Sequence, residues 1–277
     1  MTKHIYGMLF FIFSTGLVNS TYPFDSASSK GASPSKTKKV SFNSSIGKTV
    51  QPKSLKDREV PEPGKLLILE DRGDVILGAT IQYPKGKPCI DEYGERIQAF
   101  VGCSKAAGGD AKMAGYFVFL VDVPTEEVHA AMLKLGCKPR VHYTMQEGRK
   151  RVGLKPETKM DDYLQGDPTS LSVFWKKSTD GWNEKPYEDF VTERLMVNNK
   201  PVEKPWTPHF VYHGSGAIHK SGTGCIACPC DCAGGIIADN RNPIYEPKPM
   251  VKFDMQKCPP VGTRVYIRIH PTISTNP

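Results

Sequence analysis

The sequence lacks the short motifs that mark most nucleotide-binding and hydrolytic enzymes. The glycine-rich segment at residues 102–109 has no terminal Gly-Lys-Ser/Thr, so it does not match a phosphate-binding P-loop. Residues 213–216 (His-Gly-Ser-Gly) lack the first glycine of the G-x-S-x-G nucleophile elbow. No Ser, His and Asp residues form a recognisable catalytic triad. These absences disfavour an enzyme.

Long hydrophobic runs are also scarce, and the clearest one lies at the N-terminus. Lys3 precedes an apolar stretch from Ile5 to Val18, and small residues follow near Ser20. This order is typical of a cleaved signal peptide, which we expect at residues 1–20. The stretch is too short and too interrupted for a spanning helix, which needs about 20 apolar residues. Since no later segment is apolar enough for a transmembrane anchor, the sequence predicts a periplasmic or otherwise extracytoplasmic protein.

Large apolar residues are few between residues 21 and 62, where Ser, Lys and Pro are abundant. Such a composition buries too little surface to offset the entropy of ordering, so we expect a disordered linker. The segment holds eight Lys and Arg against four Asp and Glu, which is much of the chain's net charge of +8. The remainder is only mildly basic, and we therefore expect no nucleic-acid partner.

Residues 63–277 are sufficient for one domain with its own core. Apolar and β-branched runs predict strands at residues 65–69, 75–83, 96–103, 116–121, 171–175, 206–213 and 264–270, with a further candidate at 140–145. Residues 187–196 fit a helix or a strand. The predicted fold class is α+β: a β-rich single domain with about eight strands and one clear helix.

The helix prediction rests on residues 124–136. Glu126 and Glu127 place negative charge in the first turn, where it complements the helix dipole. Lys134 lies in the last turn and Gly136 terminates the pattern. The apolar stripe has helical spacing and consists of Val128, Ala131, Met132 and Leu135.

The eight cysteines are the most informative residues of the chain. Four of them crowd into a glycine-rich loop at residues 222–235, and a fifth follows at Cys258. Thiolates at C-x-x-C spacing bind soft metals, and glycines allow a loop to wrap around an ion. The candidate metal ligands are Cys225, Cys228, Cys230, Cys232 and Cys258, with His213 and His219 as further nitrogen ligands.

Four interpretations of these cysteines remain open. The first is an iron–sulfur cluster, and the second is zinc or copper(I) held by thiolates. The third is a set of structural disulfides, the usual state of cysteines outside the cytoplasm. Because cysteines two residues apart bond each other poorly, the disulfide partners would come from Cys258, Cys89, Cys103 or Cys137. The fourth is dithiol exchange by Cys225 and Cys228.

Two missing motifs bear on these alternatives. No C-x-x-C-H occurs, since Pro229 follows Cys228, and c-type haem is therefore not expected. The N-terminus carries no twin-arginine pair, which indicates export in an unfolded state. A cluster built in the cytoplasm would be hard to carry through such a route.

Four segments of the folded part form a recognisable set. They are YFVFLVDV at residues 116–123, PTEEVHAAMLKLGCKPRV at 124–141, WTPHFVYHGSG at 206–216 and GTRVYIRIHP at 262–271. Together they resemble the YdjY-type domain of exported bacterial proteins, over most of residues 73–271. Some members are labelled ferredoxin-like, and this resemblance implies an iron–sulfur role for the five cysteines at 225–258. The dense CIACPCDC run departs from plainer members of the family.

From the sequence we therefore expect an exported, non-catalytic accessory or assembly protein that binds an extracytoplasmic redox complex. The cysteine-rich loop would be a metal site or a disulfide-braced binding surface. The alternatives are an iron–sulfur electron carrier and a zinc- or copper-handling protein.

Overall fold

The computed structural model describes residues 59–83, 99–139, 164–177, 181–198, 200–241 and 250–273. The chain divides into two compact units, and all described residues belong to the second, Pro52–Pro277. The predicted signal peptide, linker residues 21–58, the candidate strand at 140–145 and Cys89 lie outside the described residues. Glu59, which we assigned to the linker, pairs with Arg72 of the domain.

The described residues form fifteen strands and two α-helices. The helices are α1 (Thr125–Lys134) and α2 (Ser215–Ile218). The strands are β1 (Leu66–Leu69), β2 (Asp74–Ile81), β3 (Ala99–Cys103), β4 (Lys105–Ala106), β5 (Gly109–Asp110), β6 (Phe117–Val121), β7 (Asp167–Lys176), β8 (Trp182–Pro186), β9 (Val191–Val197), β10 (Lys200–Pro205), β11 (Phe210–Tyr212), β12 (Cys225–Cys228), β13 (Ile237–Asp239), β14 (Met250–Phe253) and β15 (Arg264–Pro271).

Eight of these strands close into a barrel in the order β2-β15-β7-β11-β13-β12-β3-β6. The barrel closes because β6 pairs with β2, with Ala79 opposite Val121. Strand β1 extends β2 outside the barrel and β8 extends β7. Strands β9, β10 and β14 form a separate sheet, and β4 and β5 form a short hairpin. The β-rich character was predicted, whereas barrel closure was not.

Strand β2 shows how the sequence builds this core. Its residues are buried on both faces, apart from Thr80. One face contributes Val75, Leu77, Ala79 and Ile81 to the main core, together with residues from the other barrel strands. On the other face, Ile76 packs with Phe174 in a smaller cluster beneath β1 and Trp182.

Helix α1 confirms the helix prediction. Its buried apolar residues are Val128, Ala131 and Met132, and Leu135 packs partly buried against the same core. Glu126 and Glu127 lie in the first turn, and Gly136 adopts a positive φ of 94° just after the helix. No helix in the described ranges is long and apolar enough to cross a membrane.

Two of the strand predictions are changed by the structure. Only Phe210–Tyr212 of the predicted strand at 206–213 forms β11. Pro208 has no backbone N–H for a strand ladder, which limits β pairing before Phe210. The ambiguous segment 187–196 begins as a 3-10 helix, Tyr187–Phe190, and continues as β9.

His270 on β15 makes a pH-sensitive contact. Its Nδ1 lies 2.8 Å from Oδ1 of the buried Asp74, and this hydrogen bond raises the pKa of His270 above 6.5. The stabilisation is therefore fully present below about pH 6.5 and is lost as the pH rises through the raised pKa. We expect the urea midpoint to fall as the pH is raised from about 6 to about 8.5, and to fall less in His270→Asn. Equal falls in the two proteins would contradict the assignment.

Candidate functional site

The cysteine-rich loop is an unusually short connection between parallel strands. Strands β12 and β13 run parallel, with Cys228 opposite Ala238, and only residues 229–236 join them. Parallel neighbours usually need a crossover of about a dozen or more residues. The chain must therefore fold back tightly over this stretch, which contains Cys230, Cys232, Gly234 and Gly235.

A β-bulge brings the first two cysteines of the motif together. Residues three apart on a regular strand point to opposite faces. The register of β12 against β3 shifts between Cys225 and Ala227, and such a bulge re-aims the side chains beyond it. The thiols of Cys225 and Cys228 consequently meet in a side-chain hydrogen bond.

The four cysteines of the loop form one contact group, which we call the four-thiol cluster: Cys225, Cys228, Cys230 and Cys232. The Sγ atoms of Cys228 and Cys230 are 3.5 Å apart. The Cys228 thiol is also hydrogen-bonded to the sulfurs of Cys225 and Cys232, so it is the centre of the group. Cys225 is buried, and the other three cysteine residues are partly exposed.

The cluster is not a preformed metal site. Within the described ranges, no group of three or more His, Cys, Asp or Glu side chains has an arrangement that could hold a metal ion. None of the seven cysteines described forms a disulfide. The sulfurs contact one another and do not surround a common point at bonding distance.

Hydrogen bonding makes the thiols unequal. The pKa of Cys228 is raised well above its ordinary value by side-chain hydrogen bonds with Cys225, Cys230 and Cys232 and then by burial. The pKa of Cys232 is lowered because its sulfur accepts from Cys228 and from backbone N–H groups, with Gly234 N at 3.4 Å. Cys232 is therefore more acidic than Cys228, which donates to it.

The loop backbone is held by hydrogen bonds from both sides. Ser221 and Thr223 each donate a hydroxyl to the Gly234 carbonyl oxygen, at 2.9 and 2.6 Å. On the opposite side, Asp231 Oδ1 accepts from the N–H of the buried Leu164 at 2.8 Å. These contacts fix the positions from which the cysteines project.

The family model for the YdjY domain matches residues 66–270 of the chain. The chain belongs to the YdjY domain family. The match begins at the first residue of β1 and ends within β15, so it spans the barrel strands and the four-thiol cluster. No curated protein and no solved structure is significantly similar to the chain.

In this YdjY domain, Cys258 is not among the thiols that hydrogen-bond to Cys228. It follows the 3-10 helix Met255–Lys257, and its pKa is raised to about 12 by burial and then by Asp254. No cluster thiol contributes to that shift. Tyr187 is a fully buried residue near both Cys258 and the cluster. Its pKa is raised by burial and then by the charges of Cys258, Cys225 and Cys228.

The two histidines predicted as ligands, His213 and His219, lie on either side of α2. His213 is fully buried, and its pKa is lowered to about 3 by burial and by His129. Its Nδ1 accepts from the Ser215 N–H at 3.1 Å, which leaves the ring proton on Nε2. That tautomer offers no free nitrogen lone pair to a metal. His219 follows α2, and its Nε2 is buried without a hydrogen-bond partner.

The structural contacts around the cluster were missed by sequence reasoning. Asp231 and Asp239 hold different backbone groups: Asp231 Oδ1 accepts from Leu164 N, and Asp239 Oδ1 accepts from His209 N at 3.0 Å. No local pattern marks Tyr187, Thr223 or Leu164 as neighbours of the cysteines. They approach the loop only through long-range folding.

Gly216 of α2 offers a test of this packing. Its N–H donates to the Gly235 carbonyl oxygen at 2.6 Å, and a Cβ at this position would lie 2.4 Å from the Gly234 oxygen. Because both obstacles are backbone atoms beside the thiols, Gly216→Ala should lower the free energy of unfolding by about 1–3 kcal/mol. Urea unfolding measures the change.

Gly109→Ala is the matched control, because nothing lies within 4 Å of its added Cβ. We expect this control to change stability by less than about 0.5 kcal/mol. Equal stability of the two variants would show that α2 does not pack on the loop as described.

Proposed function

We propose that this protein is an exported, non-catalytic accessory protein of an extracytoplasmic redox complex, and that its four-thiol cluster holds a single thiophilic metal ion. The observation that carries the proposal is the contact of Cys228 with three other thiols, including the 3.5 Å separation from Cys230. Sulfur ligands select zinc and copper(I) among the common ions.

The sulfur spacing supports a single ion. A tetrahedral zinc with Zn–S bonds of about 2.3 Å holds its sulfurs about 3.8 Å apart. The observed 3.5 Å between Cys228 and Cys230 differs from this edge by only a few tenths of an ångström. Small side-chain rotations would therefore replace the thiol–thiol hydrogen bonds by metal–sulfur bonds.

The same spacing is a poor fit to a [4Fe–4S] cluster. In that cluster each thiolate binds a different iron, so the inorganic core separates the cysteine sulfurs. Here the Sγ atoms of Cys228 and Cys230 lie 3.5 Å apart, closer than that core would hold them. The ferredoxin-like role that the family resemblance implies is therefore the weaker of the two metal hypotheses.

A binding role is favoured over catalysis by the surroundings of the cluster. The acids of this region, Asp231 and Asp239, are buried and accept hydrogen bonds from backbone N–H groups. Their carboxylates therefore fix the backbone of neighbouring loops, which is a structural role. The partner assignment rests on the sequence features: a signal-like N-terminus, a basic linker and no catalytic motif.

Elemental analysis with a thiol count tests the metal site. The full chain is exported, purified without oxygen and analysed for zinc, copper, iron and acid-labile sulfide. One zinc or copper per chain, with four thiols protected from alkylation, is the expected result. Iron with labile sulfide would establish the electron-carrier alternative, and a metal-free chain with blocked thiols would leave only structural disulfides.

The accessory role needs a separate measurement. Native purification from the extracytoplasmic fraction should recover the chain together with the subunits of one redox complex. A chain that always elutes alone at its monomer mass would contradict this part of the proposal and leave the metal site untouched.

A further inference from the structure

Cys228 and Cys230 are placed to react with each other. Their Sγ atoms lie 3.5 Å apart, against about 2.05 Å in a disulfide. Both residues are partly exposed. Between them, Pro229 lies in a bend, which shortens the backbone separation relative to an extended strand.

We propose that Cys228 and Cys230 are a redox-active dithiol whose oxidation to a disulfide releases the metal ion. The release step rests on the proposed metal site, whereas the pairing rests on geometry alone. Among the cluster thiols, Cys225 is buried, and the Cys232 sulfur accepts a hydrogen bond from the Gly234 N–H at 3.4 Å. Cys228 and Cys230 have Sγ atoms 3.5 Å apart, and both residues are partly exposed.

The chemistry is a thiol–disulfide exchange with an external disulfide as the oxidant. One cysteine thiolate attacks the external disulfide, forming a mixed disulfide and expelling one thiolate. The second cysteine then attacks the mixed disulfide, forming the Cys228–Cys230 bond and expelling the second thiolate. Two electrons pass from the cysteines to the oxidant, and both leaving thiolates take protons from water. The ion loses two of its four ligands.

The two-residue spacing makes this disulfide reversible. A ring closed by cysteines only two residues apart is strained, and strained disulfides are more easily reduced. This strain makes a Cys228–Cys230 disulfide unsuitable as a permanent structural bond. The same strain allows the bond to be reduced again, which a redox-active pair requires. Reduction would restore both thiolates and allow the ion to be bound again.

The test uses the full chain, reduced and loaded with zinc, and oxidised glutathione as the external disulfide. A chromogenic chelator follows zinc, and peptide mass mapping after alkylation identifies the bonded cysteines. We expect loss of one equivalent of zinc per disulfide, a Cys228–Cys230 link, and recovery of zinc binding after reduction. The Cys258→Ser control, outside the cluster, should behave like the unmodified chain.

Two results separate the inference from the proposed function. A chain that loads zinc but keeps it under oxidation, or that forms another cysteine pair, overturns the dithiol assignment and leaves the metal site standing. A chain that binds no zinc overturns the proposed metal site together with the release step. The mapped disulfide of the zinc-free chain then decides the Cys228–Cys230 pairing by itself.

Discussion

Replacing Cys228 with serine is expected to weaken zinc binding by about 100-fold or more. Cys228 is the thiol that contacts the three other cluster sulfurs, so its loss removes both a ligand and the centre of the group. Structural zinc sites bind with about 10–16 kcal/mol shared among four ligands, so one ligand accounts for about 3 kcal/mol. That amount corresponds to a factor of about 100 in Kd. Competition with a chromogenic chelator measures the constant.

Cys258→Ser is the matched control for this measurement. Cys258 is a partly exposed cysteine in the same domain, and its pKa responds to Asp254 and Lys185 but not to the cluster thiols. Its replacement should change the zinc Kd by less than about twofold, well under 1 kcal/mol. If the two variants lost affinity equally, the ion would be bound by a set of ligands that includes Cys258.

Replacing Asp74 with asparagine is expected to lower the free energy of unfolding by about 3 kcal/mol. Asp74 is 5% exposed and faces Arg268, which is 4% exposed, with Arg268 Nε 3.8 Å from Asp74 Oδ2. Breaking a buried ion pair leaves a charge with too little compensation, which typically costs about 3–5 kcal/mol. Glu184 Oε1 lies 3.2 Å from Arg268 Nη1 and still balances part of the arginine charge in the variant. We therefore expect a loss of unfolding free energy at the lower end of this range.

The control for Asp74 is Asp71→Asn. Asp71 is exposed and lies 3.8 Å from Arg72, so its loss should cost less than about 0.5 kcal/mol. Urea unfolding compares the two variants at one pH. Asp74→Asn should also abolish the dependence of stability on His270, since the partner of that histidine is removed. Equal unfolding free energies for the two variants would show that Arg268 does not depend on Asp74.

The parts of the fold that follow from local sequence were predicted well. The apolar runs that form β1, β2, β6 and β15 predict strands by themselves. The sequence of α1 has acidic residues in the first turn, an apolar stripe with helical spacing and a glycine just after its end. Closure of the barrel has no such local signal. It depends on β6 pairing both with β3 and with β2, strands separated by long stretches of chain, and only the folded arrangement determines these partners.

The candidate site shows the same division. The residue types and the C-x-x-C-x-C-x-C spacing, readable in the printed sequence, identified the region and its sulfur chemistry. Cys258, His213 and His219 were plausible ligands by proximity in sequence alone. The folded chain places Cys258 near Tyr187, and places His213 beside His129 with Nδ1 occupied by a backbone N–H.

The sequence by itself determined that this chain has a β-rich YdjY-type domain with one clear helix and a dense group of cysteines. These properties follow from local sequence patterns: the spacing of apolar residues, the placement of charges and the cysteine motif. The tertiary structure decided that the barrel closes and that four of the candidate ligands meet around Cys228. The physical reason is that strand pairing and the bulge in β12 set which side chains face each other, and both depend on contacts between distant segments.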